Sequence, residues 1–293
     1  MSNLRLLFRF SRPLNLLLAA LTYGLGLGLA RYLGITLDVP AAFLGGVLVV
    51  LVMISTNYLS EYFLFPQVPF TVLETPRQHA ESRRLLLVAG LAFLGAVAVL
   101  IISLLANNSM SMLDGLFLVM ILLVSLLYAV PPFRLVDRGF GEFLLAVMVA
   151  DLIPAFGFLL QSNSLHRLLP MMAFPLTALA LAYFIVLDFP NYHEDLKYER
   201  QTLVMRLGWE RAIPLHNILI LFAYLLFAAA PLLGFPWRLV WPAFLPLPFS
   251  IIQILWLRNI SLGGRPAWNF LLATATSAFG LTTYLLTLTF WIR

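Results

Sequence analysis

The sequence predicts an all-α integral membrane protein, nine transmembrane helices around a central cavity, and three observations predict it. Of its 293 residues, 62% are hydrophobic and only 11% are charged, with a mean hydropathy of +0.96. No water-soluble domain of that length carries such a balance. The apolar residues also fall in unbroken runs of about 20, the length a helix needs to cross the hydrocarbon, without the alternation that marks membrane strands. Finally, the cationic residues crowd into alternate connections between those runs.

In chain order the apolar runs cover about 13–33, 40–64, 85–106, 112–131, 141–162, 168–190, 212–234, 239–257 and 268–291. The first follows Arg5, Arg9 and Arg12 and so mimics a secretory leader. It has no small-residue cleavage site after it and is expected to be a retained helix. The eighth contains Pro242, Pro246 and Pro248, which predict a kinked or shortened helix. No linker or low-complexity tract interrupts the chain, so residues 1–293 are expected to form a single polytopic domain.

Of the 18 Lys and Arg residues, all but Arg31, Arg167, Arg238 and Arg293 lie in the N-terminal segment or after an even-numbered helix. The positive-inside rule then places the N-terminus and those connections in the cytoplasm, with the plasma (inner) membrane as the expected location. The same asymmetry accounts for the net charge of +5 without any nucleic-acid partner. With no cysteine, disulfides, thiolate chemistry and Cys-ligated zinc are excluded. His79, His166 and His216 carry no ligand spacing, and His193 is expected to bond locally.

Two polar clusters stand out, and both end even-numbered helices. Asn57 and Glu61, at i and i+4, close the second apolar run. Asp188, Asn191 and Asp195, at i, i+3 and i+7, close the sixth and share one face if the segment stays helical. Carboxylates at a membrane boundary are costly unless paired, hydrated or metal-bound. Two oxygen-rich clusters on one side therefore point to a shared divalent-cation site. The plainer reading is an interfacial helix end at Asn57 and Glu61 and a solvated loop after Pro190. Asp151, within the fifth run beside Pro154, is a further candidate because a carboxylate inside a span is usually functional. The connections 65–84, 131–140, 191–211 and 258–267 hold most ionisable groups, so a site or lid is expected there.

Several segments resemble the UbiA superfamily of intramembrane prenyltransferases. Asp195-Leu-Lys197-Tyr-Glu-Arg200-Gln-Thr202-Leu203-Val-Met-Arg206-Leu207-Gly208 is similar to the family's second aspartate motif and the run that follows it. Tyr128-Ala-Val-Pro131-Pro132-Phe-Arg134 resembles the tyrosine–proline–basic segment after its fourth helix. Arg138-Gly139-Phe-Gly141-Glu142 resembles the corresponding segment of the MenA-like branch, which prenylates dihydroxynaphthoate, and Arg12-Pro13 also fits. The chain departs from the pattern at Glu61 and Phe65, where the first motif carries aspartates, and at Asn191, where the second does.

The resemblance implies transfer of an isoprenyl group from a polyprenyl diphosphate to an aromatic, quinone-precursor acceptor. It implies Mg²⁺ held by Asn57, Glu61, Asp188, Asn191 and Asp195. It also implies diphosphate contacts from Asn57, Asn191, Arg134, Arg138, Lys197 and Arg200, with Asp195, Glu61 and Arg134 closest to the chemistry. The alternatives are a terpene cyclase of the same type and a non-catalytic isoprenoid-lipid-binding member. A transporter fits less well, because no inverted repeat with broken helices is visible.

Overall fold

The computed structural model describes residues 3–65, 68–70 and 74–293, so part of the 65–84 connection lies outside the described residues. Among the described residues nine helices are long and apolar enough to cross a membrane. They are α1 (Pro13–Tyr32), α2 (Val39–Tyr62), α3 (Pro76–Ala106), α4 (Met112–Ala129), α5 (Gly141–Ser162), α6 (Leu168–Lys197), α7 (Trp209–Leu233), α8 (Trp237–Ser261) and α9 (Trp268–Ile292). Each lies on an expected run. The protein is thus an all-α integral membrane protein, since only helices or closed barrels satisfy the backbone in hydrocarbon.

Three boundaries differ from those expected, each for a local reason. Helix α3 starts nine residues earlier than its apolar run, at Pro76. Thr75 accepts a hydrogen bond from Gln78 N, and the Gln78 side chain caps Thr75 N in return. A reciprocal cap and a proline in the first turn start a helix in polar sequence, where hydropathy is blind. Helix α6 runs seven residues further, to Lys197, because Pro190 sits in a tight turn (Phe189–Asn191) that redirects the helix without stopping it. Helix α8 reaches from Trp237 to Ser261, with Pro242 in a similar tight turn at Trp241–Phe244 and Pro246 and Pro248 at the start of the helical segment Leu247–Ser261, where proline is tolerated. A short helix, Asn3–Phe10, precedes α1.

The helices close into a bundle in which α1 packs on α2, α5 and α9, α2 on α3, and α6 on α5 and α7. The α1–α5 contact is the tightest. Gly26 lies against the Pro154 carbonyl, and a Cβ at Gly157 would sit 2.8 Å from the Tyr23 carbonyl. In lipid there is no hydrophobic drive to join helices, so small residues that let backbones touch hold the pair together. This contact fixes the start of α1, carrying Arg12 and Asn15, relative to the start of α5, carrying Glu142.

Candidate active site

The even-numbered helix ends gather at one end of the bundle. The chain after α4 docks on the chain after α6: Arg138 pairs with Gln201 as an isolated β-bridge, and Arg206 Nη1 donates to the Arg138 carbonyl at 3.3 Å. Gly139 makes this approach possible, since its φ of +72° is a conformation side chains resist and Arg206 Cδ lies 3.0 Å from where a Cβ would stand. The two connections roof a cavity of about 300 Å³ whose walls include Arg12, Asn15, Tyr128, Glu142, Phe184, Asp188, Asn191, Asp195, Arg200 and Thr202.

On the α6 wall, Asp188, Asn191 and Asp195 all line the cavity, as their spacing on one helical face requires. Asp195 is 2% exposed. Its Oδ1 forms a salt bridge with Arg200, 3.3 Å from Nη1. Arg200 Nε reaches Asp137 Oδ1 at 3.4 Å, and Asp137 also pairs with Arg134. Burial opposes the Arg200 charge, but Asp195 and Asp137 outweigh it and hold the guanidinium above its ordinary pKa. Asn191 is exposed at the rim, with its amide 3.4 Å from the Leu187 carbonyl.

The α2 end is arranged differently. Arg12 Nη2 donates to Glu61 Oε1 at 2.7 Å and Arg12 Nη1 to Tyr128 Oη at 3.3 Å. Burial works against this guanidinium too, yet Tyr128 and Glu61 together raise its pKa above the ordinary value. Asn57 is buried and donates to the Ser11 carbonyl at 2.9 Å. Both α2 residues are therefore engaged by the segment that enters α1, and neither lines the cavity, whereas Arg12 does. Arg12 holds this place with a φ of 54°, a left-handed conformation that costs a non-glycine residue about 1 kcal/mol or more. The Arg12–Glu61 and Arg12–Tyr128 contacts offset that strain.

Three sequence-selected cations stand back from the cavity wall. Arg134 pairs with Asp137 through Nε, and both of its Nη atoms are buried with no partner among the described residues. Arg138 is exposed and donates to the Pro132 carbonyl at 2.8 Å. Lys197 is exposed, its Nζ 5.1 Å from the Tyr198 ring. His193 is likewise exposed, and Asp151 borders a separate pocket with His166 and Arg167.

Sequence reasoning left Glu142, Arg12, Tyr128 and Asn15 out of the site, although the first three stand in the quoted segments. Glu142 is 6% exposed in the first turn of α5. Its Oε1 accepts from Leu203 N at 2.9 Å, tying α5 to the helix Leu203–Leu207. Its Oε2, like Asp188 Oδ2, is buried with no partner among the described residues, and both residues line the same cavity. Asn15 Oδ1 accepts from Tyr183 Oη at 3.2 Å.

Mg²⁺ prefers oxygen donors and commonly takes one or two carboxylates, completing its shell with water and phosphate oxygens. The cavity fits that demand where α5 meets α6, with one orphaned buried carboxylate oxygen from each, on Glu142 and Asp188. The α2 end fits it less well, because Glu61 already has a cationic partner.

No curated protein matches the chain. Solved structures do. A UbiA homolog from Archaeoglobus fulgidus superposes with a TM-score of 0.67 at 17% identity, covering 99% of each chain. The homolog bound to GPP and Mg²⁺ gives 0.67 at 16% identity, over 98% of this chain and 100% of that one. A structure concerned with digeranylgeranylglyceryl phosphate synthase in membranes gives 0.63 at 14% identity over 100% of both. At these identities the likeness establishes the fold. The family model for UbiA prenyltransferases matches residues 74–274, more than half of the chain, and the protein therefore belongs to the UbiA prenyltransferase family.

Proposed function

We propose that the protein transfers an isoprenyl group from a polyprenyl diphosphate to an aromatic quinone precursor, in the manner of the MenA-like branch, with its active site facing the cytoplasm. The observation that carries this reading is the cavity itself, in which arginines and unpartnered carboxylates share one small chamber at a membrane-helix end. A solved homolog holds GPP with Mg²⁺. The segment Arg138–Glu142, which resembles the dihydroxynaphthoate-prenylating branch, forms part of the roof.

The reaction breaks the allylic C–O bond, leaves the electron pair on the diphosphate, and lets an electron-rich ring carbon attack the cation before losing a proton. Arg12 and Arg200 line the chamber and would bind diphosphate oxygens, each with a planar fork suited to phosphate. Arg134 adds two free Nη groups behind Arg200. Mg²⁺, with Asp188 among its ligands on the wall that also carries Asn191 and Asp195, would neutralise charge on the leaving group. Phe184 and Tyr128 line the same chamber, and aromatic faces there would stabilise the allylic cation and keep water from it.

Incubating purified protein with labelled polyprenyl diphosphates, with and without Mg²⁺ and a naphthoate acceptor, tests the reading. Mg²⁺-dependent release of diphosphate together with a prenylated ring is expected. Cyclised hydrocarbon without acceptor would replace it with a terpene cyclase. One observation favours a second reading: the engagement of Asn57 and Glu61 by the N-terminal segment suits a member that binds isoprenoid diphosphate without turning it over, and binding without release would establish that. The orientation is tested separately by cysteine labelling at Gln78 and Gln201, both exposed. Both should react from the cytoplasm, and labelling from the opposite side would reverse the topology.

A further inference from the structure

We infer that Glu142 is a cation ligand, and that with Asp188 it forms the seat of a single divalent cation in the cavity. This rests on the diphosphate reading above and deepens it by assigning a ligand outside both polar clusters.

Three observations converge. Glu142 is 6% exposed, its Oε1 is fixed by Leu203 N, and its Oε2 has no donor among the described residues. Asp188 Oδ2 is buried on the same cavity wall, likewise with no partner among the described residues. Two carboxylates cannot face each other in a buried wall without a proton or a cation between them. Nor can any cationic side chain nearby serve both, because Arg200 is already shared by Asp195 and Asp137 and Arg12 is held by Glu61.

The charge of the chamber decides between proton and cation. Its walls carry two arginines against three carboxylates, Glu142, Asp188 and Asp195. A shared proton would only bring that sum to neutral, and a diphosphate then adds several negative charges. A divalent ion shifts the wall by two positive charges before the diphosphate enters, against one for a proton. Among the described residues no three acidic or histidine side chains close on one point. The protein thus offers two carboxylates and leaves the other positions to water and phosphate oxygens, the pattern in which Mg²⁺ is held. At the α2 end Glu61 is already paired with Arg12, whose guanidinium lines the cavity, so no second ion is needed there.

Binding of Mn²⁺, read by electron paramagnetic resonance on the full-length protein in nanodiscs with and without inorganic diphosphate, tests this independently of turnover. Wild type should bind one Mn²⁺ per chain, tighter with diphosphate present. Glu142→Gln keeps an oxygen for Leu203 N and removes only the charge. It should weaken Mn²⁺ binding at least about tenfold, the loss typical even of groups one shell further from a metal. Asp188→Asn should do the same, whereas Glu61→Gln should leave the stoichiometry at one. An unchanged melting profile without metal confirms that each variant is folded. Wild-type Mn²⁺ binding in folded Glu142→Gln overturns the inference and assigns the pair a shared proton, leaving the prenyltransferase reading intact. Two ions per chain also overturn it. Absence of both Mn²⁺ and diphosphate binding in wild type removes this inference and the functional reading together.

Discussion

The ends of α2 and α6 carry the same kind of polar cluster, yet the fold spends them differently. At α2, Glu61 is tied to Arg12 at 2.7 Å and Asn57 to the Ser11 carbonyl at 2.9 Å, so the cluster anchors the N-terminal segment. At α6, Asp188 and Asp195 stay on the cavity wall, and Asp188 Oδ2 has no hydrogen-bond partner among the described residues. The difference teaches that a ligand-like sequence becomes a ligand only if packing leaves its oxygens free. An internal guanidinium can supply at one end what an ion supplies at the other.

The largest effect expected from that contrast is at Asp195. Asp195→Asn keeps the shape of a buried side chain while removing the charge that orients Arg200 and faces the cavity. Turnover should fall by about a hundredfold or more, the scale of losing one preorganised electrostatic group. Asp137 still holds Arg200 in the variant, so helix content and melting temperature should change little. Steady-state kinetics with a polyprenyl diphosphate checks this, and near-normal turnover would move the chemistry off the α6 wall.

Next comes the α2 end, where the expected loss is of stability as well as activity. Arg12→Ala leaves Glu61 without its cation at a membrane boundary and frees Tyr128 Oη. Breaking a buried pair costs up to about 3–5 kcal/mol. Because the Arg12 side chain is 32% exposed, solvent screening reduces that here to about 1–3 kcal/mol. Glu61→Gln alone should cost less, and the double variant should cost less than the sum by about 1 kcal/mol. Thermal melts of the four proteins in one detergent measure the coupling. Additive losses would mean that the pair is incidental and that Glu61 is free to act as a ligand after all.

How much of this was legible in the sequence follows from the range of each interaction. The nine spans were legible because their apolar runs are long and hydropathy is a local property. The face shared by Asp188, Asn191 and Asp195 was legible for the same reason, since helical geometry fixes it over eight residues. The early start of α3 was not, because it depends on a cap between Thr75 and Gln78 that apolar windows ignore. The Arg12–Glu61 pair spans 49 positions and the Glu142–Leu203 bond 61. Only the packing of α1 on α2 and α5, and of the two roof connections on each other, brings such partners together. Glu142 was visible as part of a motif, but its orphaned oxygen is a tertiary fact.

The smallest expected effect sharpens the comparison most. Asn191 sits at the exposed rim of the α6 wall and makes one long bond, 3.4 Å to the Leu187 carbonyl. Asn191→Asp is nearly isosteric, and loss of that bond in an exposed position should change stability by no more than about 0.5 kcal/mol. The added carboxylate lies one helical turn from Asp188, where it strengthens the field felt by a hard cation. Apparent Mg²⁺ affinity, read from the metal dependence of turnover or from Mn²⁺ titration, should therefore rise severalfold with little change in maximal rate. The size of the gain measures how close the ion sits to the rim. A large gain places it between Asp188 and position 191. The severalfold gain expected keeps it deeper, between Asp188 and Glu142, where one more charge at the mouth is partly screened by water before the ion feels it.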